Sequence, residues 1–236
     1  MNDAVRVVAT DATESLPQAS ESLPSLRIDF VSDVSCPWCP IGLIALQQAL
    51  DRLDGKLQAQ IHCQPFELNP QMAPEGEDSA EHLHRKYGST PEQRARNFEA
   101  IRARGAALGF TFNRRERVYN TFDAHRLLHW AGLESSAREL ALKHVLLRAY
   151  FTDGLDVSDA VVLARLAGEA GLDAQRATAI LASTEFADAE REREQHFLAM
   201  GVNSVPAVII NQQHLISGGQ PVEVFEQALR QIAGVA

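Results

Sequence analysis

The sequence predicts an α/β fold in which a central mixed sheet, flanked by helices, is interrupted by a long helical segment. Three observations support this architecture. A short strand turns into a helix at the stretch Ser35-Cys36-Pro37-Trp38-Cys39-Pro40. Helical patterns fill residues 65–184, whereas the segments on either side contain strand patterns. A Val205-Pro206 pair then leads directly into an apolar strand.

The first strand and the first helix are indicated by two different apolar periods. Apolar and polar residues alternate over Leu26–Phe30, which is the period of a half-buried strand. Leucines over residues 43–53 then fall on one helical face. Since proline suits the first position of a helix, Pro37 is predicted there. This places Cys36 at the helix cap and Cys39 one turn further in.

Cys36 and Cys39 have the spacing of a redox pair. The unpaired N–H groups and the positive dipole end of a helix favour a thiolate on Cys36, and only a thiolate attacks disulfides. Cys39 lies close enough to resolve the resulting mixed disulfide into a Cys36–Cys39 bridge. Half of a zinc site and two small apolar residues are the alternatives, but zinc needs about four ligands and a second Cys-x-x-Cys is absent. The pattern therefore favours a two-electron switch with no metal and no separate cofactor.

Composition and charge exclude several other classes. The chain has 236 residues and a formal net charge of −9, with scattered Lys and Arg, which argues against binding to nucleic acid or to anionic membranes. No apolar run approaches the length of about 20 residues that spans a membrane. Residues 1–25 predict a disordered tail without a secretory signal, so a cytoplasmic location is expected. In that reducing compartment the two thiols would be mostly reduced.

The rest of the chain alternates between strands and helices in a definite order. A second strand over Leu57–Cys63 places Cys63 on its buried face, as a small core residue rather than as a third redox thiol. Several helices follow: one from the capping box Thr90-Pro91-Glu92-Gln93, one over residues 121–130 ending at Gly132, one over residues 136–151, one capped by Asp156 or Ser158, one capped by Asp173, and a charged one over residues 185–200. Strands at residues 207–210 and 214–216 and a closing helix complete the chain.

This order is that of a thioredoxin fold with an all-helical insertion between its second and third strands. The thioredoxin-like domain is predicted over residues 26–64 and 185–236, and the insertion over residues 65–184.

The chain also resembles the DsbA family of thioredoxin-like dithiol oxidoreductases, and within it the FrnE-like cytosolic branch. The matching stretches are SDVSCPWCPIG at 32–42, QPFELNP at 64–70, KYG at 86–88, NTFDAHRL at 120–127, RAYFTDGLDVSD at 148–159, GVNSVPAVIIN at 201–211 and GGQP at 218–221. Two positions depart from the pattern of this branch, Pro40 after the second cysteine and the pair His62-Cys63.

The resemblance implies that Cys36 is the exposed nucleophile and Cys39 the resolving thiol. It also implies that Val205-Pro206 is a cis-proline element facing them, with the Val205 backbone pairing with an extended substrate; an ordinary trans proline at a strand start is the alternative.

Four more residues are predicted to lie near the thiols, and each has more than one possible role. Pro37 and Trp38, between the two cysteines, should set the redox poise, and Trp38 either contacts substrate or covers the insertion. Asn120 and His125 match a family stretch near the site, and either touch substrate or serve as a helix-start Asn and a buried His.

Three functional classes remain open from the sequence. The first is a dithiol–disulfide oxidoreductase or isomerase acting on protein or small-molecule disulfides, with glutathione as an exchange partner. The second is a glutathione-dependent isomerase or transferase of the kappa-class type, although similar proteins of that class commonly have Ser in place of the first cysteine. The third is a non-catalytic binding module, which would have no need of the two thiols. The sequence does not indicate the oligomeric state.

Overall fold

The computed structural model describes residues 23–236, so the tail predicted for residues 1–25 lies outside the described residues except for its last three. Ser25, within that predicted tail, already begins the first strand. In chain order the elements are β1 (Ser25–Ser32), α1 (Trp38–Asp51), β2 (Gln58–Pro65), β3 (Glu77–Asp78), α2 (Ser79–Tyr87), α3 (Pro91–Ala107), β4 (Arg117–Val118), α4 (Phe122–Glu134), α5 (Ser136–Phe151), α6 (Ala160–Glu169), α7 (Ala174–Leu181), α8 (Ala187–Ala199), β5 (Ala207–Ile210), β6 (His214–Ser217) and α9 (Val222–Ala233).

Four of the strands form one mixed sheet in the order β2-β1-β5-β6. β1 pairs in parallel with β2, with Phe30 opposite Cys63, and antiparallel with β5, with Phe30 opposite Val208. A parallel pair needs a crossover connection, which α1 supplies. The predicted mixed sheet, with a helical insertion between its second and third strands, is confirmed.

The central strand and the first helix are buried together. Ile28 and Phe30 of β1 and Leu43 of α1 are fully buried, and α1 also packs against α9. Cys63 is 4 % exposed, so its predicted position on the buried face of the second strand is confirmed. Burial of apolar side chains on both sides of the β1–α1 connection fixes the place where the two cysteines emerge.

The helical insertion shares its core with the sheet. A single cluster of buried side chains contains Phe30 and Leu46 together with Leu127 of α4, Leu142 of α5 and Phe151 at the end of α5. Because apolar surface of both parts is removed from water in one cluster, each part stabilises the other.

The insertion differs from the all-helical prediction in one respect. β3 and β4 form a two-stranded antiparallel ladder, with Glu77 opposite Val118 and Asp78 opposite Arg117. The ladder has a local cause, because Asp78 also caps α2 through bonds from the amides of Ala80 and Glu81. A capping residue takes a non-helical backbone conformation, which allows it to pair with a second extended segment.

Most helix boundaries follow the predicted signals. The capping box at Thr90 is confirmed by reciprocal bonds with Gln93 of 3.3 and 2.8 Å. The N-cap of α6 was predicted at Asp156 or Ser158, which is wrong. The Asp159 carboxylate caps this helix, because it accepts hydrogen bonds from the free backbone amides of the first turn. α4 runs past Gly132 to Glu134. Within residues 23–236, no helix combines the length and apolar character needed to cross a membrane.

Candidate functional site

The two cysteines lie where β1 passes into α1, one position earlier than predicted relative to the helix. Pro37, with φ of −70°, is the N-cap of α1, so Cys36 precedes the cap instead of forming it. The Cys39 amide donates to the Cys36 carbonyl at 3.1 Å, which is a tighter turn than that of an α-helix. The regular helix therefore begins at Trp38, and Cys36 remains at its N-terminal end.

The two thiols have unequal surroundings. Cys36 is 3 % exposed and its Sγ donates to the Val205 carbonyl oxygen at 3.4 Å, whereas Cys39 has no exposed surface. Burial raises the pKa of Cys39 well above its usual value; contact with Cys36 raises it further, and the charge of Lys143 opposes the increase. Cys36 is therefore not the exposed thiol that the resemblance implied, because its Sγ packs against the Val205 carbonyl, although it keeps a little exposed surface and Cys39 keeps none.

Pro206 reaches this site from far along the chain. The Val205–Pro206 peptide bond is cis. A Cβ atom at Gly42 would lie 2.9 Å from Pro206 Cγ, which is closer than packed atoms allow, and 3.4 Å from the Cα atom of Gly219. The first turns of α1 therefore need glycine at position 42 to accept the proline ring.

Asp33 fixes the loop before Cys36 through hydrogen bonds. No role for this residue could be predicted from the sequence. Its carboxylate is fully buried and accepts bonds from the Ser35 amide, the Ser35 hydroxyl and the Leu68 amide at 3.1, 2.8 and 2.7 Å. Burial alone would raise the pKa of Asp33, but His125 and these donors together lower it to about 2. The Cys36 loop is therefore tied through one carboxylate to the loop that follows β2.

Asn120 and His125 take the two plainer roles that the sequence left open. Asn120 donates to the Met72 carbonyl at 3.3 Å and accepts from the Phe122 amide at 2.9 Å, which is a helix-start role. His125 is 2 % exposed, and its Nε2 lies 3.5 Å from Asp33 Oδ1, so it is a buried His beside the loop that holds Cys36.

Two aromatic side chains remain exposed beside Cys36. Trp38 is 38 % exposed and Tyr87, at the end of α2, is 61 % exposed. The pKa of Tyr87 is raised by partial burial and, to a smaller extent, by the charge of Cys36. Lys86 fixes the end of α2 by donating to the Leu68 carbonyl at 2.6 Å. Tyr87 belongs to the KYG stretch at 86–88, which matches the family pattern, but the sequence assigned no function to this residue.

Residues 23–236 contain no group of three or more His, Cys, Asp or Glu side chains placed to hold a metal ion. A surface cleft of about 670 Å³ lies away from the thiols, lined by residues such as Arg27, Asp29, Arg193 and His196 and by neither Cys36 nor Cys39.

The chain is similar to several known proteins over most of its length. A probable DsbA oxidoreductase from Streptomyces coelicolor is 35 % identical, with a TM-score of 0.83 over 89 % of this chain and 90 % of that chain. The uncharacterized protein YwbO from Bacillus subtilis is 24 % identical over 208 residues, which are 87 % of this chain and 96 % of that protein. The cytosolic disulfide reductase DsbM from Pseudomonas aeruginosa, solved with GSH, has the same fold at 16 % identity, with a TM-score of 0.59 over 89 % of this chain and 100 % of that chain.

The family model of the DSBA-like thioredoxin domain matches residues 27–230. That range contains both cysteines, the cis-proline loop and the whole helical insertion. The chain therefore belongs to the DSBA-like thioredoxin domain family.

Proposed function

We propose that the chain is a thiol–disulfide oxidoreductase in which Cys36 is the nucleophile and Cys39 the resolving thiol. The asymmetry of the two thiols is the observation that carries this assignment. Cys36 is 3 % exposed and donates to the Val205 carbonyl, whereas Cys39 has no exposed surface and its pKa is raised by burial. A thiol that keeps some exposed surface at a helix N-terminus suits attack on a substrate, and a fully buried one suits attack on Cys36 alone.

The reaction consists of two exchange steps. The Cys36 thiolate attacks one sulfur of the substrate disulfide, so that a mixed disulfide forms and the other substrate sulfur leaves as a thiolate. The Cys39 sulfur then attacks Cys36, the mixed disulfide breaks, and the proton lost by Cys39 is balanced by protonation of the departing thiolate. Two electrons pass to the substrate, which becomes a dithiol, and the reverse sequence oxidises a dithiol. Glutathione is the small thiol that we propose as an exchange partner.

The substrate is proposed to lie along the surface formed by Val205, Pro206, Pro37, Trp38 and Tyr87. An extended peptide could pair with the Val205 backbone once its carbonyl is released from the Cys36 thiol. The exposed rings of Trp38 and Tyr87 offer apolar contact on the flanks of the same thiol. We propose both protein disulfides and small disulfides as substrates of this surface.

Two finer assignments belong to this proposal. The SDVSCPWCPIG stretch and the helical insertion support a place in the FrnE-like branch. A cytoplasmic location is proposed from the composition of the chain; fractionation of cells carrying the tagged protein would test it.

The glutathione-dependent isomerase or transferase activity that the sequence left open is less well supported, because both thiols are present.

Cysteine variants test the central assignment. In an insulin-reduction assay with glutathione as the electron donor, we expect Cys36→Ser to lose at least 100-fold in rate and to form no substrate adduct. We expect Cys39→Ala to accumulate a mixed disulfide through Cys36, visible by mass spectrometry. Cys63→Ala is the matched control, because this thiol is buried and its pKa is raised to about 12, so its rate should stay close to that of the wild type. Retained activity in Cys36→Ser, or adducts on Cys63, would refute the assignment.

A further inference from the structure

The Lys and Arg side chains, which the composition suggested were scattered, are concentrated in one part of the insertion. Residues 85–117 contain nine of them and only three Glu, in a chain whose formal net charge is −9. This stretch covers the end of α2, all of α3 and the first residue of β4. The insertion therefore contains a basic segment in an otherwise acidic protein.

Most of the positive charges in this segment are available to a ligand. In the described part of the chain only two of the nine side chains form an ion pair, Arg85 with Glu77 and Arg102 with Glu99. Nine of the twelve Lys and Arg side chains elsewhere in that part do form one. Arg104 is among the exposed side chains of the segment that form no ion pair there. An exposed cation of this kind attracts anionic groups from solution, because no protein carboxylate offsets its charge.

Arg104 lies beside the helical turn that follows the first cysteine. Its guanidinium donates to the Gly219 carbonyl at 3.0 Å. Gly219 in turn packs on the first turn of α1, since a Cβ atom placed on it would lie 3.1 Å from the Trp38 carbonyl oxygen and 3.3 Å from Ile41 Cγ2. A guanidinium has five N–H donors in a planar fork, so Arg104 keeps donors for a second acceptor. Its charge is therefore held at the edge of the proposed substrate surface, one residue away from Trp38.

A second cation is fixed at the end of α2. The Lys86 ammonium donates to the Leu68 carbonyl at 2.6 Å, and the Leu68 amide donates to Asp33, whose carboxylate holds the Cys36 loop. Asp33 is itself ionised and offsets part of this charge, so Arg104 is the less compensated cation of the two. Lys86 and Arg104 are here called the basic rim, because each is joined to the segment that carries the cysteines by a short chain of direct contacts.

We propose that the basic rim binds carboxylate side chains that flank a disulfide in an acidic segment of a protein substrate. This inference rests on the proposed function and names its substrate class. A substrate Asp or Glu accepts hydrogen bonds from Arg104 while the disulfide lies at Cys36, and the rim itself makes and breaks no covalent bond. Among the anions that a basic surface attracts, peptides also supply the disulfide that Cys36 attacks. Charges at the edge of a binding surface mainly raise the rate of association, and salt weakens their effect.

Disulfide-linked dimers of a short peptide test the inference, with either Glu or Gln on both sides of its single cysteine. Reduced protein is mixed with each dimer, and the release of peptide thiol is followed by chromatography after acid quenching. We expect Arg104→Gln, whose amide can still donate to Gly219, to lower the second-order rate constant at least threefold for the Glu peptide and less than twofold for the Gln peptide. Arg104→Lys keeps the charge and should restore most of the rate with the Glu peptide. The difference should disappear at about 1 M salt, where the Debye length is about 3 Å.

Arg96→Gln is the matched control. Arg96 is also an exposed arginine of α3, it forms no ion pair in the described part of the chain, and it lies about 12 Å along the helix from Arg104. Its loss should leave both rates within twofold. Equal losses with both peptides in Arg104→Gln, an equal loss in Arg96→Gln, or a loss with glutathione disulfide but not with the Glu peptide would each overturn the inference. If wild-type protein reduces neither peptide, the proposed function fails instead.

Discussion

At the scale of single residues, Asp33 sets the conformation of the loop that presents Cys36. Its carboxylate accepts bonds from Ser35 and Leu68, and its pKa of about 2 lies below the ordinary value of 3.8. A folded-state pKa below the unfolded one means that ionised Asp33 stabilises the fold above about pH 4, and that this contribution is lost as the pH falls towards about 2. The difference corresponds to about 2 kcal/mol.

We therefore expect Asp33→Asn to lower the free energy of unfolding by about 2 kcal/mol at pH 7 and to slow disulfide exchange. Urea unfolding at a series of pH values measures the effect, and the gap between the variant and the wild type should narrow between about pH 4 and pH 2. Asp54→Asn, at an exposed position, is the control and should show no gap. A gap that stays constant over this pH range would mean that the Asp33 charge does not stabilise the loop.

At the scale of elements, the site depends on how closely α1 approaches the cis-proline loop. Position 42 has no space for a Cβ atom, since Pro206 Cγ lies 2.9 Å from where that atom would stand. Gly168, near the end of α6, provides a contrast, because its added Cβ would make only an ordinary contact of 3.5 Å with Ala174. The two helical glycines thus differ in surroundings rather than in secondary structure.

Gly42→Ala should therefore destabilise the protein by about 1–2 kcal/mol, because the cost of overpacking exceeds the gain of up to about 1 kcal/mol from replacing a helical glycine. It should also slow exchange severalfold by displacing Pro206 from Cys36. Gly168→Ala should instead raise stability by up to about 1 kcal/mol and leave the rate unchanged. Urea unfolding and the insulin assay measure both effects, and equal behaviour of the two variants would contradict the packing argument.

At the scale of the whole molecule, the sheet and the helical insertion should unfold together. Their buried side chains form one cluster, and the chain has only two tryptophans, Trp38 in α1 and Trp130 in α4. Trp38→Phe and Trp130→Phe each leave one fluorescent reporter, in the insertion and in the thioredoxin-like part respectively. We expect the urea transition of each reporter to coincide with the far-ultraviolet circular dichroism of the same variant. Fluorescence and dichroism transitions that separate within either variant would show that the two parts unfold independently.

Features that depend on near neighbours in the chain could be predicted from the sequence. The spacing of Cys36 and Cys39, the strand-to-helix change around them and the capping box at Thr90 all follow from periods or bonds within a few residues. The error at Asp159 arose because several nearby residues have similar capping ability. The error at the N-cap of α1 arose because no side chain caps this helix, so no residue type marks the boundary. The short β3–β4 ladder was missed because two-residue strands have no period.

Which distant residues meet at the site depends on tertiary packing. Asp33 accepts a hydrogen bond from the Leu68 amide, and Pro206 packs against α1 at Gly42. In the sequence, Lys143 is an ordinary helical lysine, and its side chain becomes buried only because α5 packs on β2. Contacts of this kind depend on how the elements pack, and burial in turn sets the pKa of each group, so local sequence patterns contain neither.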